Sequence, residues 1–127
     1  MGEEYLIDTN AVVDYLGKRL PPRGESFLDK LPPVISVITR IELLGWYKIT
    51  PKQTGKLMSF VSNAIIHNLS EPIIIQTIQL RQKHKIKTPD AIIAATALIN
   101  NLTLITRNTN DFINIEGLKL FNPFDKK

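Results

Sequence analysis

Short apolar, β-prone runs alternate along this chain with segments of helical periodicity, and that alternation limits the fold more than any other feature. Tyr5-Leu6-Ile7 leads into Asp8-Thr9-Asn10, Pro33-Val34-Ile35 leads into Ser36, and Leu104-Ile105-Thr106 leads toward Asp111-Phe112. Strands are expected at 5–7, 33–35, 65–68, 102–106 and 118–121. Helices are expected at 11–16, 25–31, 37–47 with an end near Gly45, from Thr50-Pro51 to about 63, from Pro72 or Ile73 to 84, and 89–100. Thr50-Pro51 and Thr88-Pro89 both read as a capping threonine followed by proline at the first helical position. Strands separated by helices must pair in parallel, with helices on both faces of the sheet. Such α/β sheets carry their ligand crevice beyond the carboxyl ends of the strands. Polar chemistry should therefore gather where strands end and helices begin.

The chain's 127 residues suit one domain spanning 1–127. It contains no cysteine, which excludes disulfide frameworks, thiolate metal sites and a cysteine nucleophile. The N-terminal MGEEYLIDTN does not resemble a secretory signal, and no run approaches the roughly 18 apolar residues of a membrane span. A cytoplasmic protein without membrane contact is expected. The net charge of +4 is compatible with a phosphate-rich partner.

Four acids fall where the sheet rule demands chemistry. Asp8 ends the first strand, Glu42 lies two turns into the helix after the second, Asp90 sits in the first turn of its helix, and Asp111 follows the fourth strand. Each has apolar neighbours, which suggests partial burial. Singly, three have an ordinary structural role: Asp8 as a cap, Asp90 as a dipole complement, Asp111 as turn chemistry; Glu42 has no capping role, and its apolar neighbours leave little polar face. Four at one predicted edge call for more. Carboxylates crowded in a low-dielectric crevice must protonate or recruit a cation. Oxygen-only ligands favour hard ions, Mg²⁺ or Mn²⁺. Such an ion suits phosphodiester hydrolysis. The dipole of the Asp90 helix is expected to help keep that carboxylate ionised. Asn10, Thr106 and Asn108 are neutral groups able to orient water, substrate or a carboxylate.

These residues resemble PIN domains, specifically the VapC-type toxins of prokaryotic toxin–antitoxin pairs. The similarity runs through Tyr5-Leu6-Ile7-Asp8-Thr9-Asn10, Ser36 with Ile41-Glu42-Leu43, and Thr88-Pro89-Asp90-Ala91-Ile92-Ile93-Ala94-Ala95-Thr96-Ala97. It continues in Leu104-Ile105-Thr106-Arg107-Asn108, Asp111-Phe112, Leu118 and Asn122-Pro123. The resemblance implies a three-layer α/β/α fold with a central parallel sheet and Mg²⁺- or Mn²⁺-dependent cleavage of RNA. Asp8, Glu42 and Asp90 match the family's three acids. Related sequences carry a further acid where Asn108 stands, where Asp111 stands, or at both; here only Asp111 is charged and is assigned the fourth role, with Asn108 a neutral helper. One metal ion is expected rather than two.

Arg81, Lys83, Lys85 and Lys87 precede Asp90 as a basic run suited either to an RNA backbone or to a solvated helix end. His67 and His84 are too scattered for a histidine metal site, and Trp46-Tyr47 suits helix-end packing more than base stacking. The resemblance further implies an antitoxin partner, a homodimer, and a docking groove at the helices flanking Pro21-Pro22, carrying Val12, Val13, Leu16, Phe27 and Leu28. The rival functions are a PIN-type nuclease with a housekeeping role and no antitoxin, or a non-catalytic RNA- or protein-binding domain.

Overall fold

Leucine and isoleucine alternate along the two central strands, and this two-residue period divides the protein into layers. In the computed structural model, which describes residues 3–125, the elements follow in the order β1 (Tyr5–Ile7), α1 (Thr9–Leu16), α2 (Pro22–Asp29), β2 (Val34–Ser36), α3 (Val37–Leu44), α4 (Pro51–Ser62), β3 (Ile65–His67), α5 (Glu71–Lys83), α6 (Thr88–Ile99), β4 (Thr103–Ile105), a 3₁₀ turn (Thr109–Asp111) and β5 (Leu120–Phe121). Leu6 pairs with Leu104, and both face a core built with Ile73, Leu80 and Ile93 of α5 and α6. Ile7 pairs with Ile105, and both face the opposite core with Val12, Leu28 and Leu57 of α1, α2 and α4. The expected three-layer α/β/α arrangement follows directly from that alternation.

All strand pairs are parallel. They form a three-stranded ladder, β1-β4-β5, and a two-stranded ladder, β2-β3. β2 lies beside β1 without joining its ladder, so the expected central sheet comes as two hydrogen-bonded pieces. From β1 the chain moves to β2 on one side and returns as β4 on the other. A reversal of this kind opens a crevice at the carboxyl end of the strand where it occurs. That end belongs to β1, and the next residue is Asp8.

Local capping chemistry begins most of the helices. The Asp8 carboxylate accepts from the Thr9 N–H at 2.8 Å, and Ser36 Oγ accepts from the Ile38 N–H at 3.0 Å. Thr50 and Gln53 form a reciprocal capping box ahead of Pro51. Thr88 departs from expectation. It is the first helical residue of α6, Lys87 occupies the cap position, and no side chain caps the helix. Pro89 fits there because a missing N–H in the first turn forfeits no helical hydrogen bond. α2 also starts earlier than expected, at Pro22, and α5 starts at Glu71 behind Ser70. At the far end of α6, Asn101 adopts φ 54, a left-handed conformation that asparagine tolerates.

Gly24 on α2 is required by contact rather than by conformation. A Cβ there would lie 2.1 Å from the Pro123 carbonyl oxygen, which belongs to the segment after β5. Backbone cannot yield as a flexible side chain can. Gly24→Ala is therefore expected to destabilise the fold by about 1–3 kcal/mol, read as a lower urea midpoint. An unchanged midpoint would show that α2 and the C-terminal segment do not dock this closely.

Candidate active site

Asp8 stands beyond β1 almost wholly buried, at 4 % exposure. Both carboxylate oxygens are engaged. Oδ1 accepts from the Thr9 N–H, while Oδ2 accepts from Asn10 Nδ2 at 3.1 Å and from the Thr106 hydroxyl at 2.9 Å. Thr106 follows β4, so the register of β1 against β4 brings the two residues together. The Thr106 oxygen also accepts from the Asn108 N–H at 3.1 Å and lies 3.3 Å from Asn10 Nδ2. Burial raises the Asp8 pKa from 3.8 to about 6, and repulsion from Asp90 and Glu42 adds to the rise against the hydrogen bonds from Thr106 and Thr9. Desolvation outweighs the donors.

Glu42, expected to be partly buried, instead projects from α3 into solvent, as Asp111 does from the turn after β4, and Glu42 Oε1 lies 2.5 Å from the Thr9 hydroxyl. Thr9 Oγ1 is also 3.0 Å from Thr39 Oγ1. An ionised carboxylate can only accept and a hydroxyl has one proton, so Thr9 donates to Glu42 and accepts from Thr39. Thr39 is completely buried one turn before Glu42, which fixes the glutamate relative to α1.

Asp90, in the first turn of α6, shares a polar cavity of about 500 Å³ with Asp111, Asn110 and Asn114. Lys85, Lys87 and His84 line the same cavity. The Asp90 pKa is raised by burial first, then by Asp111 and Glu42, while Lys87 pulls it down. The helix dipole, expected to help keep Asp90 ionised, therefore acts against burial and crowding by other acids. Asp8, Glu42, Asp90 and Asp111 thus occupy one electrostatically coupled region. Among the described residues, no three acidic or histidine side chains converge closely enough to clasp one ion as they stand.

The basic run is divided by the fold. Lys85 and Lys87 border the acids, whereas Arg81 turns its Nε to the Ile86 carbonyl at 3.2 Å and Lys83 lines a different cavity with Gln76 and Gln79. The residues expected to line a groove beside Pro21-Pro22 are divided by the fold. Val12 and Leu28 are core residues, and Phe27 packs its ring on Tyr5 and Phe121. Val13 and Leu16 do line a groove, whose other wall is Trp46, after α3, with Lys56 and Leu57 of α4. Tyr47 is 83 % exposed and does not pack on the helix end as expected. Sequence reasoning also missed Thr39 and Asp14. Thr39 carries no local signal, because its hydroxyl contact with Thr9 spans 30 residues. Asp14, 1 % exposed, is paired with Arg107, whose Nη1 lies 3.0 and 2.9 Å from its two oxygens.

A PIN domain family model matches residues 5–118. A chain of a toxin–antitoxin complex from Klebsiella pneumoniae is 36 % identical, with 96 % of this chain and 99 % of that one covered and a TM-score of 0.76. A chain of VapBC2 from Rickettsia felis, solved with a DNA fragment of its promoter, is 28 % identical over 93 % of this chain and 97 % of its own, with a TM-score of 0.80. The DNA-bound VapBC from Salmonella typhimurium shares the fold at a TM-score of 0.84 and 20 % identity, covering 96 % of this chain and 99 % of that one. No curated protein sequence matches.

A raised carboxyl pKa makes the native state hold a proton that the unfolded chain releases. Stability should therefore fall as pH rises from about 4 to about 6 and gain nothing further from this group above that window. Without divalent cations, the contribution from Asp8 is on the order of 1–3 kcal/mol. Thermal melts of wild type and Asp8→Asn should diverge across that window, the variant losing less stability as pH rises. Parallel curves would show that Asp8 is not under this strain.

Proposed function

The chain belongs to the PIN domain family, and from that premise we propose that it is a divalent-cation-dependent endoribonuclease, acting in the cytoplasm as the toxin of a toxin–antitoxin pair. The observation that carries the reading is the coupling of Asp8, Glu42, Asp90 and Asp111 at the carboxyl edge of the strands.

The donor set fits Mg²⁺ or Mn²⁺. It is all oxygen, and burial together with mutual repulsion raises the pKa of both Asp8 and Asp90. Mg²⁺ keeps several of its waters and takes only one or two carboxylates directly, so acids that are close without being clasped suit it. Asp8, Glu42, Asp90 and Asp111 are the residues that would hold it. When bound, such an ion supplies Lewis acidity toward a phosphoryl oxygen and makes water more acidic.

The chain's own residues do the positioning. Three donors fix the Asp8 carboxylate, Thr9 fixes Glu42, and Asn10, Thr106 and Asn108 lock the start of α1 to the end of β4. A carboxylate fixed before the substrate arrives loses little freedom in the reaction. Lys85 and Lys87 supply cations at the wall of the acidic cavity, where an RNA backbone would otherwise be repelled. Arg81 and Lys83 are assigned no contact with RNA at the acids.

The antitoxin assignment is supported by the likeness to a chain of a toxin–antitoxin complex; the homodimer is carried over from the family resemblance alone. The groove of Val13, Leu16, Trp46 and Leu57, edged by Arg19, Lys52 and Lys56, suits an apolar segment flanked by acids. A small antitoxin gene beside this one would favour the toxin reading over a housekeeping nuclease.

Purified protein should cleave single-stranded RNA with Mg²⁺ or Mn²⁺, lose activity with chelator, and lose at least about 100-fold in Asp90→Asn. Robust cleavage in an Asp8→Asn, Asp90→Asn double variant would overturn the assignment. Charge reversal at Lys85 and Lys87 should weaken RNA binding and reduce its salt slope by about one for each phosphate no longer neutralised. Unchanged binding would remove these lysines from the substrate path.

A further inference from the structure

We propose that Asp14 and Arg107 form a positioning strut that sets the geometry of the acidic site from one helical turn away. The kinetic part of this inference rests on the nuclease reading; the structural part does not. Asp14 lies on α1, one turn beyond Asn10, and is buried at 1 % exposure. A carboxylate that deep needs compensation, and the Arg107 guanidinium reaches both its oxygens through Nη1. Such a pair is costly to desolvate, and ion pairs of this kind are weak contributors to stability compared with apolar packing. What this one fixes is geometry.

Arg107 is tied to α1 twice. Its side chain holds Asp14, and its backbone N–H donates to Asn10 Oδ1 at 3.0 Å. The other end of the Asn10 amide donates to Asp8 Oδ2 at 3.1 Å. The amide therefore has only one useful orientation, with its oxygen toward Arg107 and its nitrogen toward Asp8. On either side of Arg107, the Thr106 hydroxyl donates to Asp8 and the Asn108 N–H donates to Thr106. The Asp111 N–H then bonds to the Asn108 carbonyl at 3.0 Å, so the position of residues 107 and 108 also sets that of Asp111. Release of the guanidinium would loosen the loop after β4 and turn Asn10 away from Asp8. Because only Nη1 engages Asp14, a lysine ammonium can replace much of the contact.

Two observables test the strut, both well below the melting temperature of each variant. The first is the Asn10 side-chain amide resonance of the resting protein, and the second is the split between kcat and KM on a short RNA. Asp14→Asn and Arg107→Gln should each move the Asn10 resonance and lower kcat about tenfold, with KM and its salt dependence nearly unchanged. The double variant should be no worse than either single one. Arg107→Lys should recover most of both signals. An unmoved Asn10 resonance would overturn the strut whether or not the protein cleaves RNA. A raised KM and reduced salt slope in Arg107→Gln alone would instead make Arg107 a contact to RNA. A lower melting temperature with both observables unchanged would reduce the pair to a structural role.

Discussion

Asp8 accepts three hydrogen bonds at a position where the fold has removed nearly all water, and the arrangement of the site depends on that carboxylate. The donors come from the first residue of α1, from Asn10 one residue on, and from Thr106 after β4. They bind the two central strands' ends to one another through a charged group. Burial and the neighbouring acids still push its pKa to about 6. The site is thus well ordered and electrostatically strained together. Order keeps the oxygens aimed, and strain leaves them receptive to a cation.

The topology explains why the strain is located there. β1 is the strand at which the chain reverses direction across the sheet, so its carboxyl end opens between β2 and β4. α3 delivers Glu42 from the β2 side, and the 3₁₀ turn after β4 delivers Asp111 from the other. α6 presents Asp90 at its first turn, beside Lys85 and Lys87. Two cores, built on Leu6 and Leu104 below and on Ile7 and Ile105 above, hold these elements in register.

Features encoded by local chemistry were legible in the sequence. The caps at Asp8 and Thr50 could be read because a cap involves residues at most three apart. That the four acids lie near one edge was legible because each follows a strand or sits on the helix after one; their burial was not, since Glu42 and Asp111 are exposed. Thr88 misled because a threonine before proline resembles a cap whether the helix begins at it or after it. The Asp14–Arg107 pair was invisible, since its partners lie 93 residues apart and neither interrupts a local pattern. Which of the α1 apolar residues stay at the surface was hidden for a similar reason. Val12, Val13 and Leu16 share a helix, but only packing decides which of them the core takes.

The central claim is that the crowded acids are relieved by a divalent cation, and calorimetric titration of Mn²⁺ near pH 6 tests it most directly. Runs in two buffers of different ionisation enthalpy count the protons released on binding. Binding should release protons, because the ion favours the charged forms of carboxyls whose pKa values are raised in its absence. The affinity should be lost when Asp8 and Asp90 are both replaced by asparagine. Equal affinity in that double variant, or no binding by the wild type, would contradict the role assigned to the acidic cluster.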